Sequence, residues 1–267
     1  MHLPLLGSPF ELRIAKDPHT ERPDEAGQYG FVHSFHSGST VDGPGVRLVI
    51  FLTGCEFRCS YCHNPDTWKI ANGRRVSVAD MRREIGKYAK FLKLARGGIT
   101  ISGGEPLVQA KFVMSLVEVC RSLGLPVALD TNGFLGSRLT DADIEKIDLF
   151  LLDIKAGFSA LHERVTAQPL EPVLEFAQRL SRLDRPTVLR FVLVPGLTDA
   201  PENIERIAEI AAEMRVVRHV DVLPFHQLGK YKWAELGMKY ELADTREATP
   251  EQVARAKAIF AAQGLSV

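Results

Sequence analysis

Val46-Arg47-Leu48-Val49-Ile50-Phe51-Leu52-Thr53-Gly54-Cys55-Glu56-Phe57-Arg58-Cys59-Ser60-Tyr61-Cys62 is an apolar run that stops at a glycine and gives way to three cysteines. Its first seven residues, rich in large and β-branched side chains, predict a strand. From Val46 onward such runs alternate with amphipathic stretches. Further strands are expected at Ile99 to Ser102, Pro126 to Asp130, Leu149 to Asp153, Thr187 to Val194 and His219 to Leu223. Helices are expected at Ser77 to Leu94, Gln109 to Leu123, Thr140 to Ile147, Glu171 to Leu183, Pro201 to Met214 and Pro250 to Ala262. Ser77, Thr140 and Thr249 suit N-caps, and Pro201 and Pro250 suit a first helical turn. Six successive βα units imply parallel strands joined by right-handed crossovers. A closed barrel needs eight such units. The expected α/β fold is therefore an incomplete, open (β/α)6 TIM-like barrel, with an open doubly wound sheet as the alternative.

In such folds active sites gather at the carboxyl ends of the strands. The cysteine loop follows the first strand, Ser102-Gly103-Gly104-Glu105 the second, Asp130-Thr131-Asn132-Gly133 the third and Asp153-Ile154-Lys155 the fourth. Val194-Pro195-Gly196 and Pro224-Phe225-His226 close the last two, so all six polar clusters fall on one rim. The spacing C-x-x-x-C-x-x-C at Cys55, Cys59 and Cys62 offers three soft ligands with no fourth nearby. It suits an iron-sulfur cluster with one iron left open. Zinc and a disulfide are the alternatives, the former lacking a second ligand pair and the latter leaving an odd thiol.

Gly103 and Gly104 read as a plain turn or as a close backbone approach to a ligand. Glu105 ends its strand with a carboxylate. Asp130 and Asp153 end apolar runs, where an ionised carboxylate requires a positive neighbour. Lys155 shares a face with Asp153 if the strand extends that far, and a structural ion pair between them is the plainer reading. His226 either meets a ligand or caps its turn. Asp42, in Thr40-Val41-Asp42-Gly43-Pro44-Gly45, is a turn residue or a carboxylate beside the open face of the cluster.

The chain has 267 residues, 45% of them hydrophobic, and balances 33 basic against 33 acidic residues. That length supports a substantial core, and the balance gives no support for a nucleic-acid or membrane partner. No apolar run approaches the roughly 20 residues of a membrane helix. Four cysteines fit a reducing, cytoplasmic setting better than a secreted disulfide scaffold. Residues 1–27, with four prolines and no sustained period, read as a flexible N-terminal extension, leaving 28–267 as one domain.

Thr40 to Gly45, the cysteine loop through His63-Asn64-Pro65-Asp66-Thr67-Trp68, and Ser102 to Pro106 resemble the radical S-adenosylmethionine (SAM) enzymes. Adding Leu129 to Gly133, Leu151 to Lys155, Val194 to Gly196, Leu223 to His226 and Leu228 to Trp233, the chain is more narrowly similar to the pyruvate formate-lyase-activating family of glycyl-radical activases. The resemblance spans about residues 30 to 265. It implies a 4Fe-4S cluster on Cys55, Cys59 and Cys62, with SAM on the open iron. The reduced cluster would cleave SAM to methionine and a 5'-deoxyadenosyl radical, which takes a hydrogen from a backbone glycine of pyruvate formate-lyase. It further implies SAM contacts at Tyr61, Cys62, His63, Gly104, Asp153, Ile154, Lys155 and His226. Asp42, His63 and Lys155 would lie near the partner's glycine loop. A monovalent cation would sit at Asp130, Thr131, Leu152 and Asp153. A flavodoxin or ferredoxin-type electron donor and a monomeric state belong to the same set of expectations.

Between Cys62 and Cys120 there is no cysteine, which excludes activases with an inserted ferredoxin-like segment. A compact activase of another glycyl-radical enzyme and a radical SAM enzyme acting on a small molecule are the alternative functions. The chain departs from the family's T-G-x-x-N at Thr166-Ala167-Gln168-Pro169-Leu170 and in its N-terminal extension.

Overall fold

A computed structural model describes residues 26–267. The extension expected over 1–27 thus lies almost wholly outside the described residues. Eight strands form one sheet: β1 (Tyr29–Ser39), β2 (Arg47–Leu52), β3 (Arg74–Ser77), β4 (Gly98–Gly103), β5 (Val127–Thr131), β6 (Leu149–Asp153), β7 (Thr187–Leu193) and β8 (Val217–Pro224). Their order is β3-β1-β2-β4-β5-β6-β7-β8. From β2 to β8 the six strands run parallel, whereas β1 is antiparallel to β2 and to β3. The sheet stays open between β3 and β8, as expected of an incomplete barrel, and the antiparallel β1 with the short edge strand β3 is an addition to that expectation.

The helices are α1 (Val78–Leu94), α2 (Ala110–Ser122), α3 (Asp141–Glu145), α4 (Ser159–Thr166), α5 (Glu171–Arg182), α6 (Pro201–Glu213), α7 (Lys230–Glu235) and α8 (Pro250–Ala262). Ser77, Thr140 and Thr249 cap α1, α3 and α8, each in a reciprocal capping box with the residue three positions on. Each such cap stabilises its helix by about 1 kcal/mol. α4 and α7 were not expected.

Side-chain alternation sorts the strands into an apolar outside and a polar inside. In β7, Leu189, Phe191 and Leu193 are buried toward the helices, while Val188, Arg190 and Val192 are half-buried on the other face. One outer core joins Leu48, Ile50, Ile101 and Leu129 to Met81, Ile85, Phe112 and Leu116. A second joins Leu189, Phe191 and Val222 to Val173, Ile207 and Phe260. Residues 40–46 link the end of β1 to the start of β2 and so meet the barrel at its amino ends. There the Thr100 hydroxyl donates to the Asp42 carbonyl at 2.6 Å, and Arg47 Nε donates to Thr100 at 3.0 Å. Gly43 and Gly45 take φ of 117° and 73°, the tight turn that this segment predicts.

Candidate active site

The loop that leaves β2 is folded back on itself and held from three sides. Gly54 N–H donates to Thr67 at 2.7 Å and Cys55 N–H to Trp68 at 3.2 Å. Arg58 and Ser60 N–H donate to Thr166 and Val165, at the end of α4. From α7, Trp233 Nε1–H donates to the Cys62 carbonyl at 2.9 Å, and Lys232 reaches Asn64 at 2.8 Å and Asp66 at 3.1 Å. Gly104 lies against this loop so closely that a Cβ would stand 2.4 Å from the Gly54 oxygen and 3.1 Å from Cys55 Cβ. Only glycine allows that approach.

Cys55, Cys59 and Cys62 line one cavity of about 360 Å³, together with Tyr61, His63, Gly103, Gly104, Asp130, Asp153 and Lys155. Asp42 and Arg190 line it too. All three cysteines are free thiols. Burial raises their pKa values, that of Cys59 to about 12, although Lys155 pulls Cys59 and Cys62 partly back. Among the described residues no three or more His, Cys, Asp or Glu side chains converge as they would on one metal ion. Three thiols spread around a space of that size fit a multi-iron group, whose positive charge would draw off their protons.

Asp153 and Lys155 form the expected ion pair, 2.8 Å apart. Burial opposes the Lys155 ammonium, but Asp153, Tyr61 and Cys59 outweigh it and hold its pKa above the ordinary value. Lys155 Nζ stands 6.0 Å from the Tyr61 ring centre, and among the described residues the buried Tyr61 hydroxyl has no hydrogen-bond partner. His63 Nε2–H donates to the His226 carbonyl at 3.1 Å, with the two rings 4.1 Å apart. Burial, reinforced by His226, Lys155 and Lys232, lowers the His63 pKa.

The positive neighbour required by Asp130 is Arg190, unmarked by any motif. Its guanidinium lies 3.1 Å from Asp130 and 3.8 Å from Asp42. Apart from this ion pair, Asp130 Oδ1 and Arg190 Nε have no hydrogen-bond partner among the described residues. Asp130 also accepts from Ser102 at 2.6 Å, and Asp42 from Ser39 at 2.5 Å. Asp130 raises the Arg190 pKa against the cost of burial, with Asp153 and Asp42 adding to it. Arg190 and Lys155 are thus the positive neighbours that Asp130 and Asp153 require. Thr131 and Leu152 are register partners at the adjoining ends of β5 and β6, and Leu152 faces the outer core.

Some expected residues stand off the cavity. Ile154 is packed in the second core, with its N–H donating to the Arg190 carbonyl at 3.1 Å, and His226 lies behind His63. Glu105 is a bracket: fully buried, it accepts from Leu107 N–H, the Thr131 hydroxyl and Asn132 N–H at 2.8 Å each. Burial lifts its pKa to about 7. The divergent Thr166 to Leu170 segment supports the cysteine loop, Gln168 Nε2 donating to the Glu56 carbonyl at 3.3 Å.

The Radical SAM superfamily profile matches residues 49–220. The chain is 38% identical over 240 residues to a pyruvate formate-lyase 1-activating enzyme of Escherichia coli K12, covering 89% of this chain and 98% of that one. It is 40% identical to a pyruvate formate-lyase-activating enzyme of Staphylococcus aureus over 84% of this chain and 92% of the relative. A solved domain of a pyruvate-formate lyase-activating enzyme from Bacteroides vulgatus superposes with a TM-score of 0.54 at 25% identity, covering 64% of this chain and 96% of that one.

Proposed function

The chain belongs to the radical SAM superfamily and, within it, to the pyruvate formate-lyase-activating enzymes, and from that premise we propose how its residues divide the work. It is an oxidoreductase whose cofactors are a 4Fe-4S cluster and SAM. When bound, these supply one-electron cleavage of the sulfonium carbon-sulfur bond to methionine and a 5'-deoxyadenosyl radical, which takes hydrogen from a glycine of pyruvate formate-lyase.

In this reading Cys55, Cys59 and Cys62 hold three irons, and Gly104 lets the ligand of the fourth approach the backbone. The Asp153–Lys155 pair offers both signs of charge to an amino acid headgroup. Tyr61 and His63 complete the nucleoside side, with His226 steadying His63 and Ile154 backing the wall from the core. Asp130, Thr131, Leu152 and Asp153 are the oxygen donors for a monovalent cation. Asp42, His63 and Lys155 face the partner's glycine loop, and Arg190 with Asp130 offers unspent hydrogen-bonding groups to its peptide backbone. Positioning of this kind dominates a transfer between two reactants held in one cavity. The electron comes from a flavodoxin or ferredoxin-type donor, the chain acts as a monomer, and three free thiols suit the reducing cytoplasm. Among the described residues no helix is long and apolar enough to cross a membrane.

The observation that carries this proposal is the single cavity shared by three free cysteines and the Asp153–Lys155 pair. The test is anaerobic incubation of reconstituted protein with reductant, SAM and pyruvate formate-lyase. The expected result is a glycyl-radical doublet in electron paramagnetic resonance, lost with the iron in Cys59→Ala. Deoxyadenosine without the doublet would remove the partner, and full iron content in Cys59→Ala would remove the ligand assignment.

A further inference from the structure

Arg58 lies between two of the cysteines, and although exposed it is turned back onto their loop. Its Nη1 donates to the carbonyls of Cys55 and Phe57, each at 2.7 Å. Its guanidinium carbon stands 4.9 Å from the centre of the Trp68 ring, and Trp68 lines the cavity with the three thiols. Trp68 meets Trp233 edge-on at 5.3 Å, and Trp233 holds the Cys62 carbonyl. A cation is thereby fastened to the backbone of one cysteine and, through two indoles, to the support of another.

Two other charged groups around the loop have ion-pair partners. Lys155 is paired with Asp153, and Asp66 with Lys232 and His33. Glu56 feels both Arg138 and Arg58, but among the described residues Arg58 enters no ion pair. Its charge rests on the loop backbone, between the Cys55 carbonyl and the Trp68 ring.

We propose that Arg58 is a positioning residue that raises the reduction potential of the cluster on Cys55, Cys59 and Cys62, an inference that rests on the cluster reading above. An external low-potential one-electron donor gives up one electron, the cluster gains it, and no bond or proton changes hands. The reduced state carries one more negative charge than the oxidised state. A fixed positive charge tied to a ligand's own peptide unit favours that state, since charge and hydrogen bonding near the sulfurs set such potentials. The outer support of a metal site is where this tuning resides.

The test is an anaerobic redox titration of the reconstituted holoprotein, read by electron paramagnetic resonance of the reduced cluster. Arg58→Gln and Arg58→Met, the latter keeping bulk over Trp68, are compared with the parent and with Arg58→Lys. In the neutral variants the ratio of reduced to oxidised cluster at a fixed poise should fall about tenfold, and Arg58→Lys should recover most of it. A neutral variant with parental iron content and an unshifted curve overturns the proposal. Loss of iron in both neutral variants also overturns it, because Arg58 would then serve assembly. A parent protein that takes up no cluster removes the underlying reading instead.

Discussion

Arg190 is the single charge in the run Val188-Leu189-Arg190-Phe191-Val192, and it stands at a position that alternation turns inward. With Asp130 at 3.1 Å and Asp42 at 3.8 Å, it ties β7 to β5 and to the segment that meets the barrel at its amino ends. Deleting one member of a largely buried pair leaves the other uncompensated, at a cost of about 3–5 kcal/mol. Arg190→Met should therefore lower the unfolding free energy by that order, read from the urea midpoint at unchanged slope, and adding Asp130→Asn should restore part of the loss. An additive or deeper loss in the double variant would show that the pair is not the coupled unit. Asp130 and Asp153 were legible in the sequence because each ends an apolar run, and Lys155 because it follows Asp153 by two. Arg190 was the available answer to the charge those aspartates require, but spacing along one chain does not reveal which strand faces which. The part played by Glu105 was hidden for a related reason: the sequence places a carboxylate after a strand, while its bonds to Leu107, Thr131 and Asn132 are those of a buried brace.

At the scale of elements, a helix was legible where either a capping side chain or a long amphipathic period marked it: α2, α5 and α6 lack a side-chain cap but run for 13, 12 and 13 residues, whereas α4 and α7 are both short and uncapped. α1, α3 and α8 open on Ser77, Thr140 and Thr249, whereas α4 and α7 open on Phe158 and Gly229, which make no side-chain cap. β1 was hidden by its bulges: the register shifts between Val32 and Ser34 and again between Ser37 and Ser39, which destroys a period of two. α4 ends on Ala167 at φ 61°, a left-handed conformation in which the family pattern has glycine. An L-residue there costs about 1–2 kcal/mol, offset by the roughly 0.5–1 kcal/mol of chain entropy that glycine forfeits on folding. Ala167→Gly should therefore stabilise the protein by about 0.5 kcal/mol, seen as a higher urea midpoint at unchanged slope. A lower midpoint would mean that the Ala167 methyl makes contacts worth more than the strain. Because Thr166 and Val165 accept from Arg58 and Ser60, this helix end also sets where the cysteine loop lies.

Across the whole molecule, the site is assembled from Asp42 at the amino-end segment, the cysteine loop after β2, the ends of β4 to β7, and the α7 segment. The open barrel was legible because six βα units fall short of eight, and the shared rim because polar clusters end all six strands. The grip of α7 on the cysteine loop was not, since contacts between such distant segments leave no local signal. Cluster loading should pull these parts together, as any ligand that binds only the folded form stabilises it. Hydrogen exchange should slow over residues 53–68 and 225–240 on reconstitution, with a higher melting temperature. Unchanged exchange in those two segments would contradict the shared support. The bond from Trp233 to Cys62 spans 171 residues. At about 5–20 residues per second, the ribosome finishes this wall on the order of ten to thirty seconds after making the thiols. The three thiols are therefore made well before the wall that closes over them, and a cluster held by the finished site has to be loaded after α7 is in place.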